Sequence, residues 1–197
     1  MRAKDENKEW TIREKAIEMI VHEGFDGLSM HKLAKAANIS VSTIYIYFRN
    51  REDLLNQLYA AVVETFVEHT MAGFDPAMDF EAGLWLQWQN RYAYILKYPL
   101  QFHFSEQFRN SPLIKKQDDA PEVVFKRAMQ QFVANAVEKG EIVSLPREVF
   151  WAIAYGPFYT LVKFHLDHHA TMSGIPFTLS NELLQQAFQR TMKALRV

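Results

Sequence analysis

The stretch "SVSTIYIYFRNREDL", residues 40 to 54, sets hydroxyls among aromatics and aliphatics and then brings two arginines before the first acid. It is too polar for a core and too aromatic for an ordinary solvated helix. Small hydroxyls allow close approach to another surface, and tyrosine carries its hydroxyl on a flat apolar body. Arginine offers a planar fork of donors that matches phosphate oxygens. Together these groups suit contact with a polyanion. The surrounding charge agrees. No Asp or Glu occurs from Gly27 through Arg51, in a chain with 23 acids, and that span holds His31, Lys32, Lys35, Arg49 and Arg51. In a chain of formal net charge −1, such a basic surface is a local site rather than a property of the whole.

Other chemistries find less support. The chain has no cysteine, which excludes disulfides, thiolate metal sites and cysteine catalysis and fits a reducing, cytoplasmic setting. No secretory leader and no apolar run long enough to cross a membrane is read from the residues. In "HLDHH", His165 and His169 stand one helical turn apart, a spacing that can hold a metal; histidines at a helix C-terminus also suit its dipole and free carbonyls. No HExxH, phosphate loop or nucleophile–base arrangement is visible, so no catalytic residue, metal or cofactor is assigned. Aromatics crowd residues 84 to 108, and Trp85, Trp88, Tyr92, Phe102, Phe104 and Phe108, followed by Phe125, Met129 and Phe132, are candidates to line a pocket for an apolar or aromatic ligand. Gln87, Gln89, Asn90, Arg91 and His103 are polar groups available to orient it. Aromatics at helical spacing also make plain core.

The elements that carry these residues read as helical from end to end, giving an all-α fold. Trp10, Arg13, Ala16, Ile17 and Ile20 form a first amphipathic stripe that Gly24 can end, with "GFDG" as a turn. Ser29 is placed to cap a short second helix that Asn38 interrupts, and Ser40 to cap a third. Asn50 with Asp53 makes a partial capping box for a long fourth helix running toward Gly73. Pro157, inside the apolar run 148 to 165, frees the carbonyl of Ile153 and should kink that helix.

Two short helices joined by a tight turn, on a basic surface, describe a helix-turn-helix, whose second helix enters the DNA major groove. Ile39, Ile44 and Phe48 would then pack inward on Leu33. Val41, Ser42 and Tyr45 would face base edges with Ile46 flanking, and Thr43, Tyr47 and Arg51 would meet phosphates. Ser29, His31, Lys32 and Arg49 complete the expected DNA-facing set.

The segment 11 to 55, with "GFDGLSMHKLAKAANISVSTIYIYFRNREDLL", strongly resembles the DNA-binding domain of the TetR family of bacterial transcriptional regulators. The match rests on Ser42, Thr43, Ile44, Tyr45, Tyr47, Phe48, Arg51 and Glu52; many members have glycine in place of Ser42 and lysine in place of Arg51. The resemblance implies a DNA-binding domain over residues 1–52 and a helical effector-binding and dimerisation domain over 53–197. It implies a homodimer on a palindromic operator, formed through the last two long helices. For that interface Trp151, Tyr155, Phe158, Val162, Leu184 and Phe188 are the candidates, since a helix apolar all round must be buried on every side. The expected function is a repressor released by a small apolar or aromatic ligand. Two alternatives stay open: a DNA-binding regulator without a small effector, and a helical metal-dependent enzyme using His165 and His169.

Overall fold

Apolar periodicity becomes helix throughout the computed structural model, which describes residues 6–109, 121–167 and 176–197. Among the described residues there are nine α-helices and no strand: α1 Glu6–Gly27, α2 Met30–Ala36, α3 Val41–Tyr47, α4 Arg51–Thr70, α5 Phe80–Lys97, α6 Pro99–Arg109, α7 Pro121–Glu138, α8 Arg147–Asp167 and α9 Asn181–Leu195. None of the described helices is long and apolar enough to cross a membrane.

The helix ends follow their local residues. Gly24 takes φ 72°, a left-handed conformation that breaks the direction of α1 and leaves "GFDG" as a last, separate turn. Ser29 caps α2 by accepting the Lys32 N–H at 3.2 Å, and Ser40 caps α3 by accepting that of Thr43 at 3.2 Å. Asn38, at φ 54°, supplies the left-handed residue of the turn between them. At the start of α4, Asn50 Oδ1 accepts the Asp53 N–H at 2.8 Å, while Asp53 Oδ2 reaches back to the N–H of Arg49 rather than that of the cap itself, also at 2.8 Å. One stripe departs from its sequence reading at its N-terminal end. The buried face of α1 is Ile12, Ala16, Ile17 and Ile20, and Trp10 is 65% exposed.

Two compact units divide the chain, Met1–Phe66 with Lys97–Glu122, and Val67–Leu96 with Val123–Val197. In the first, α1 to α3 and the start of α4 share a core of Ile12, Ile20, Leu33, Ile44, Phe48, Leu54 and Leu58. The helix α6 belongs to this core as well. Phe104 and Phe108 are fully buried in it, with Phe108 stacked on Tyr59 at 4.6 Å and edge-on to Phe25 at 5.7 Å.

In the second unit α8 packs along α9, and Trp88 of α5 is buried beside both, near Phe158 and Phe188. Its indole N–H donates to Ala154 O at 2.9 Å, in the turn of α8 just before Pro157. A proline interrupts the helical ladder there, and this carbonyl in the preceding turn is within reach of a side-chain donor. Phe132 of α7 stacks on Phe80 at 5.2 Å and meets the edge of Phe74 at 5.1 Å. Gly83 lies directly beneath that ring: a Cβ at this position would sit 2.6 Å from Phe132 Cε2.

The Phe132 ring is wedged between two others, so it cannot retreat. Gly83→Ala is expected to destabilise the chain by about 1–3 kcal/mol through overpacking, against a helix-propensity gain of about 1 kcal/mol. Urea unfolding checks this, and an unchanged midpoint would mean that α5 and α7 are less closely packed.

Candidate nucleic-acid interface

The face expected to meet DNA is built from the turn and α3. Ile44, Tyr47 and Phe48 are buried and hold α3 against the core, which leaves Ser42, Tyr45 and Ile46 outward; Tyr45 is 52% and Ile46 47% exposed. Large exposed side chains on a seven-residue helix, beside no acid, suit a surface made to be covered. The hydroxyls are organised in advance. Ser40 Oγ lies 2.8 Å from both Ser42 Oγ and Thr43 Oγ1, so the residue that caps the helix also orients the two hydroxyls of its first turn. Val41 and Thr43 are half-buried at the rim. His31, Lys32 and Arg49 are exposed, and Lys32 Nζ reaches Glu23 Oε2 at 3.3 Å, a solvated pair of little stabilising weight. Ser29 contributes through its cap on α2.

Two residues expected at phosphates are engaged elsewhere. Arg51 donates from Nε to Leu28 O at 3.1 Å and from Nη2 to Phe25 O, so its guanidinium closes the end of α1 against the start of α4 instead of extending outward. Tyr47 is only 8% exposed, with its ring tilted beside Phe48, because the turn of α3 aims it into the core. A residue that the sequence places only on the first stripe joins them. Arg13 lies 5.2 Å over the Phe48 ring, donates to Gln57 O at 3.3 Å and pairs with Glu9 at 2.7 Å, tying α1 to α4 across the end of α3. The only trace of this role in the sequence is an arginine on an otherwise apolar stripe.

The candidate ligand residues fall into two groups. Phe102, Phe104 and Phe108 lie on α6 in the first unit, whereas Trp85, Trp88, Tyr92, Phe125, Met129 and Phe132 belong to the second. Trp85 packs on Phe188, and the Tyr92 hydroxyl donates to Leu179 O at 2.9 Å; burial raises the pKa of that phenol. Gln87 and Asn90 turn out to serve the end of α4. Gln87 Nε2 donates to Thr70 O at 2.9 Å, and Asn90 Nδ2 to Thr70 O at 3.2 Å and to Ala72 O at 2.8 Å. Arg91 is buried and bonded to Gln87.

The candidate dimerisation residues are mostly covered within one chain. Tyr155, Phe158, Val162, Leu184 and Phe188 are each no more than 2% exposed within the single chain, covered by α5 and by the packing of α8 on α9; Trp151 is half-buried and stacked on Tyr155. Of the six, Trp151 keeps the most surface for a partner to cover. Of the histidine cluster, His165 accepts the Leu179 N–H through Nδ1 at 3.4 Å, and His168 and His169 lie outside the described residues. No group of three metal-ligating side chains occurs among the described residues.

Residues 12–58, which hold this interface, match the family described as bacterial regulatory proteins, tetR family. The segment is a tetR-family DNA-binding domain. Over 178 residues the chain is 25% identical to an HTH-type transcriptional regulator of Haemophilus influenzae, covering 90% of each. It is 37% identical over 57 residues, 29% of each chain, to a fatty acid metabolism regulator protein of Bacillus subtilis. The crystal structure of a TetR family transcription regulator from Marinobacter aquaeolei shares the fold, at a TM-score of 0.81 and 24% identity over 99% of this chain and 98% of that one. The chain is a DNA-binding transcription regulator.

Within the tetR domain, the geometry separates reading from holding. Tyr45→Ala is expected to relax preference at one base position by about 1–3 kcal/mol. Arg49→Ala should weaken all DNA sequences alike and reduce the salt slope by about 1. Arg51→Ala should instead lower the stability of the domain by about 1–2 kcal/mol, by removing the donors to Leu28 O and Phe25 O. Binding titrations at several salt concentrations, with urea unfolding beside them, distinguish the three. A normal unfolding midpoint for Arg51→Ala, together with a reduced salt slope, would return Arg51 to the phosphates.

Proposed function

We propose that the chain is a homodimeric repressor that binds a palindromic operator and is released by a small apolar or aromatic effector held in the second unit. The observation that carries the DNA half is the exposed, acid-free face of α3, with Tyr45 and Ile46 outward and the Ser42 and Thr43 hydroxyls oriented by Ser40. Two such faces related by a two-fold axis would contact half-sites about 34–36 Å apart or a multiple of that. The outer sides of α8 and α9 are the surface for the partner subunit; Val149 is 42% and Leu183 39% exposed there.

The effector half rests on α4. This helix starts in the DNA-binding domain at Arg51, and its last carbonyl, that of Thr70, is held by Gln87 and Asn90. A ligand that shifts α5 alters that cap and so biases the helix that follows the recognition motif in the chain. A second reading, a regulator with no small effector, is favoured by the tight packing of the aromatics, with Trp88 and Phe132 at 0% and 1% exposure.

Reciprocal titration separates the two. An effector should lower operator affinity by roughly 5- to 150-fold, and operator DNA should weaken the effector by the same factor. Gln87→Leu should reduce that factor and leave operator affinity without effector nearly intact. An effector that binds tightly with no change in operator affinity removes the coupling and leaves the second reading.

A further inference from the structure

The centre of the second unit holds polar chemistry that neither DNA contact nor ordinary core packing calls for. Arg91, on α5, is 1% exposed. Among its contacts, Nη1 donates to the side-chain oxygen of Gln87 and to Gln87 O at 3.1 Å, and the guanidinium lies 4.5 Å from the Tyr155 ring centroid and 5.5 Å from that of Phe125. Tyr155, on α8, is 2% exposed, and its hydroxyl has no hydrogen-bond partner among the described residues. A buried O–H donor with nothing to donate to is unfavourable, and a phenylalanine would fill the same space without that penalty. Burial pushes the pKa of this phenol up to about 12, against the opposing pull of Arg91, so the hydroxyl stays a donor at physiological pH. A fixed cation and an idle neutral donor therefore share one ring in the middle of an apolar unit.

The geometry points to a binding site in the second unit for the carboxylate of an apolar acid, held by Arg91 and Tyr155. This deepens the effector reading above and rests on it. The guanidinium fork accommodates two carboxylate oxygens, and the phenol O–H supplies a further donor to one of them. A phosphate monoester, carrying nearly two negative charges, would ask for more donors than this pair offers. The acid's body belongs among the rings around the pair, with Phe125 of α7, 8% exposed, beside the guanidinium. Capture of the acid also reaches α4. When a carboxylate takes the Arg91 N–H groups, Gln87 loses the donor that orients its amide, and that amide caps Thr70 O.

The test uses the full chain with octanoate, dodecanoate and phenylpropanoate, each against its methyl ester, by calorimetric titration. At least one acid is expected to bind about tenfold or more tightly than its ester. Tyr155→Phe should lose about tenfold in affinity for that acid and none for the ester, with a thermal midpoint unchanged or raised because the lost hydroxyl was idle. Arg91→Gln should abolish the discrimination between acid and ester, and Arg91→Lys should restore part of it. Equal binding of acid and ester, no binding of any acid, or a Tyr155→Phe chain that is destabilised with its discrimination intact would each overturn the site. An acid that binds with the expected discrimination yet leaves operator affinity unchanged would support the site and remove the effector reading.

Discussion

A helix cannot satisfy its own terminal backbone groups, and in α4 that constraint organises the whole chain. At its start, Asn50 and Asp53 exchange hydrogen bonds with the backbone, and Arg51 reaches back to the carbonyls of Phe25 and Leu28. At its end, the Thr70 carbonyl is taken by Gln87 and Asn90 of α5. The first set places α3 and its exposed face; the second ties the same helix to the element that carries Arg91. Both ends are closed by side chains rather than by solvent alone, so a change at either is felt in the hydrogen bonding of α4 itself.

Much of the first unit was legible because its signals are local. A capping serine acts within three residues, so Ser29, Ser40 and Asn50 could be assigned from their neighbours, and the acid-free span marks the DNA face without reference to any other element. Arg51 and Tyr47 were harder, because side-chain direction depends on partners elsewhere. Its charge and its place in the first turn of α4 point Arg51 outward, while its carbonyl partners stand 23 and 26 residues upstream. Trp10 shows a related limit: at the exposed end of a helix, a three-and-four spacing fits more than one stripe, and Ile12 wins because the core lies under it.

The aromatic segments were legible as buried but not as to where. Phe104 and Phe108 follow Trp88 and Tyr92 closely in sequence, yet Pro99 begins a new helix between them, and α6 packs with α1 in the first unit. Sequence proximity carries no information about which core a ring joins once a proline has redirected the chain. The apolar run of α8 raised the same difficulty in another form. A helix apolar on all sides must be covered, but α5 and α9 cover most of it, so much of its composition serves the interior of one chain.

Stability alone does not account for Arg91. Taking a charge out of water costs several kcal/mol even after relaxation, and apolar residues of similar volume often make a more stable core. Its position one turn after Gln87 gives the placement a purpose that stability lacks. Gln87 faces two ways, its oxygen toward Arg91 and its nitrogen toward Thr70 O, so the cap on α4 is sensitive to what Arg91 binds. The magnitudes fit. A capping hydrogen bond contributes about 0.5–1.5 kcal/mol net, and coupling between effector and operator is typically about 1–3 kcal/mol. Losing one or two such bonds at the end of α4 is then enough to change operator affinity across that range, with no need for any core to repack or any helix to unfold.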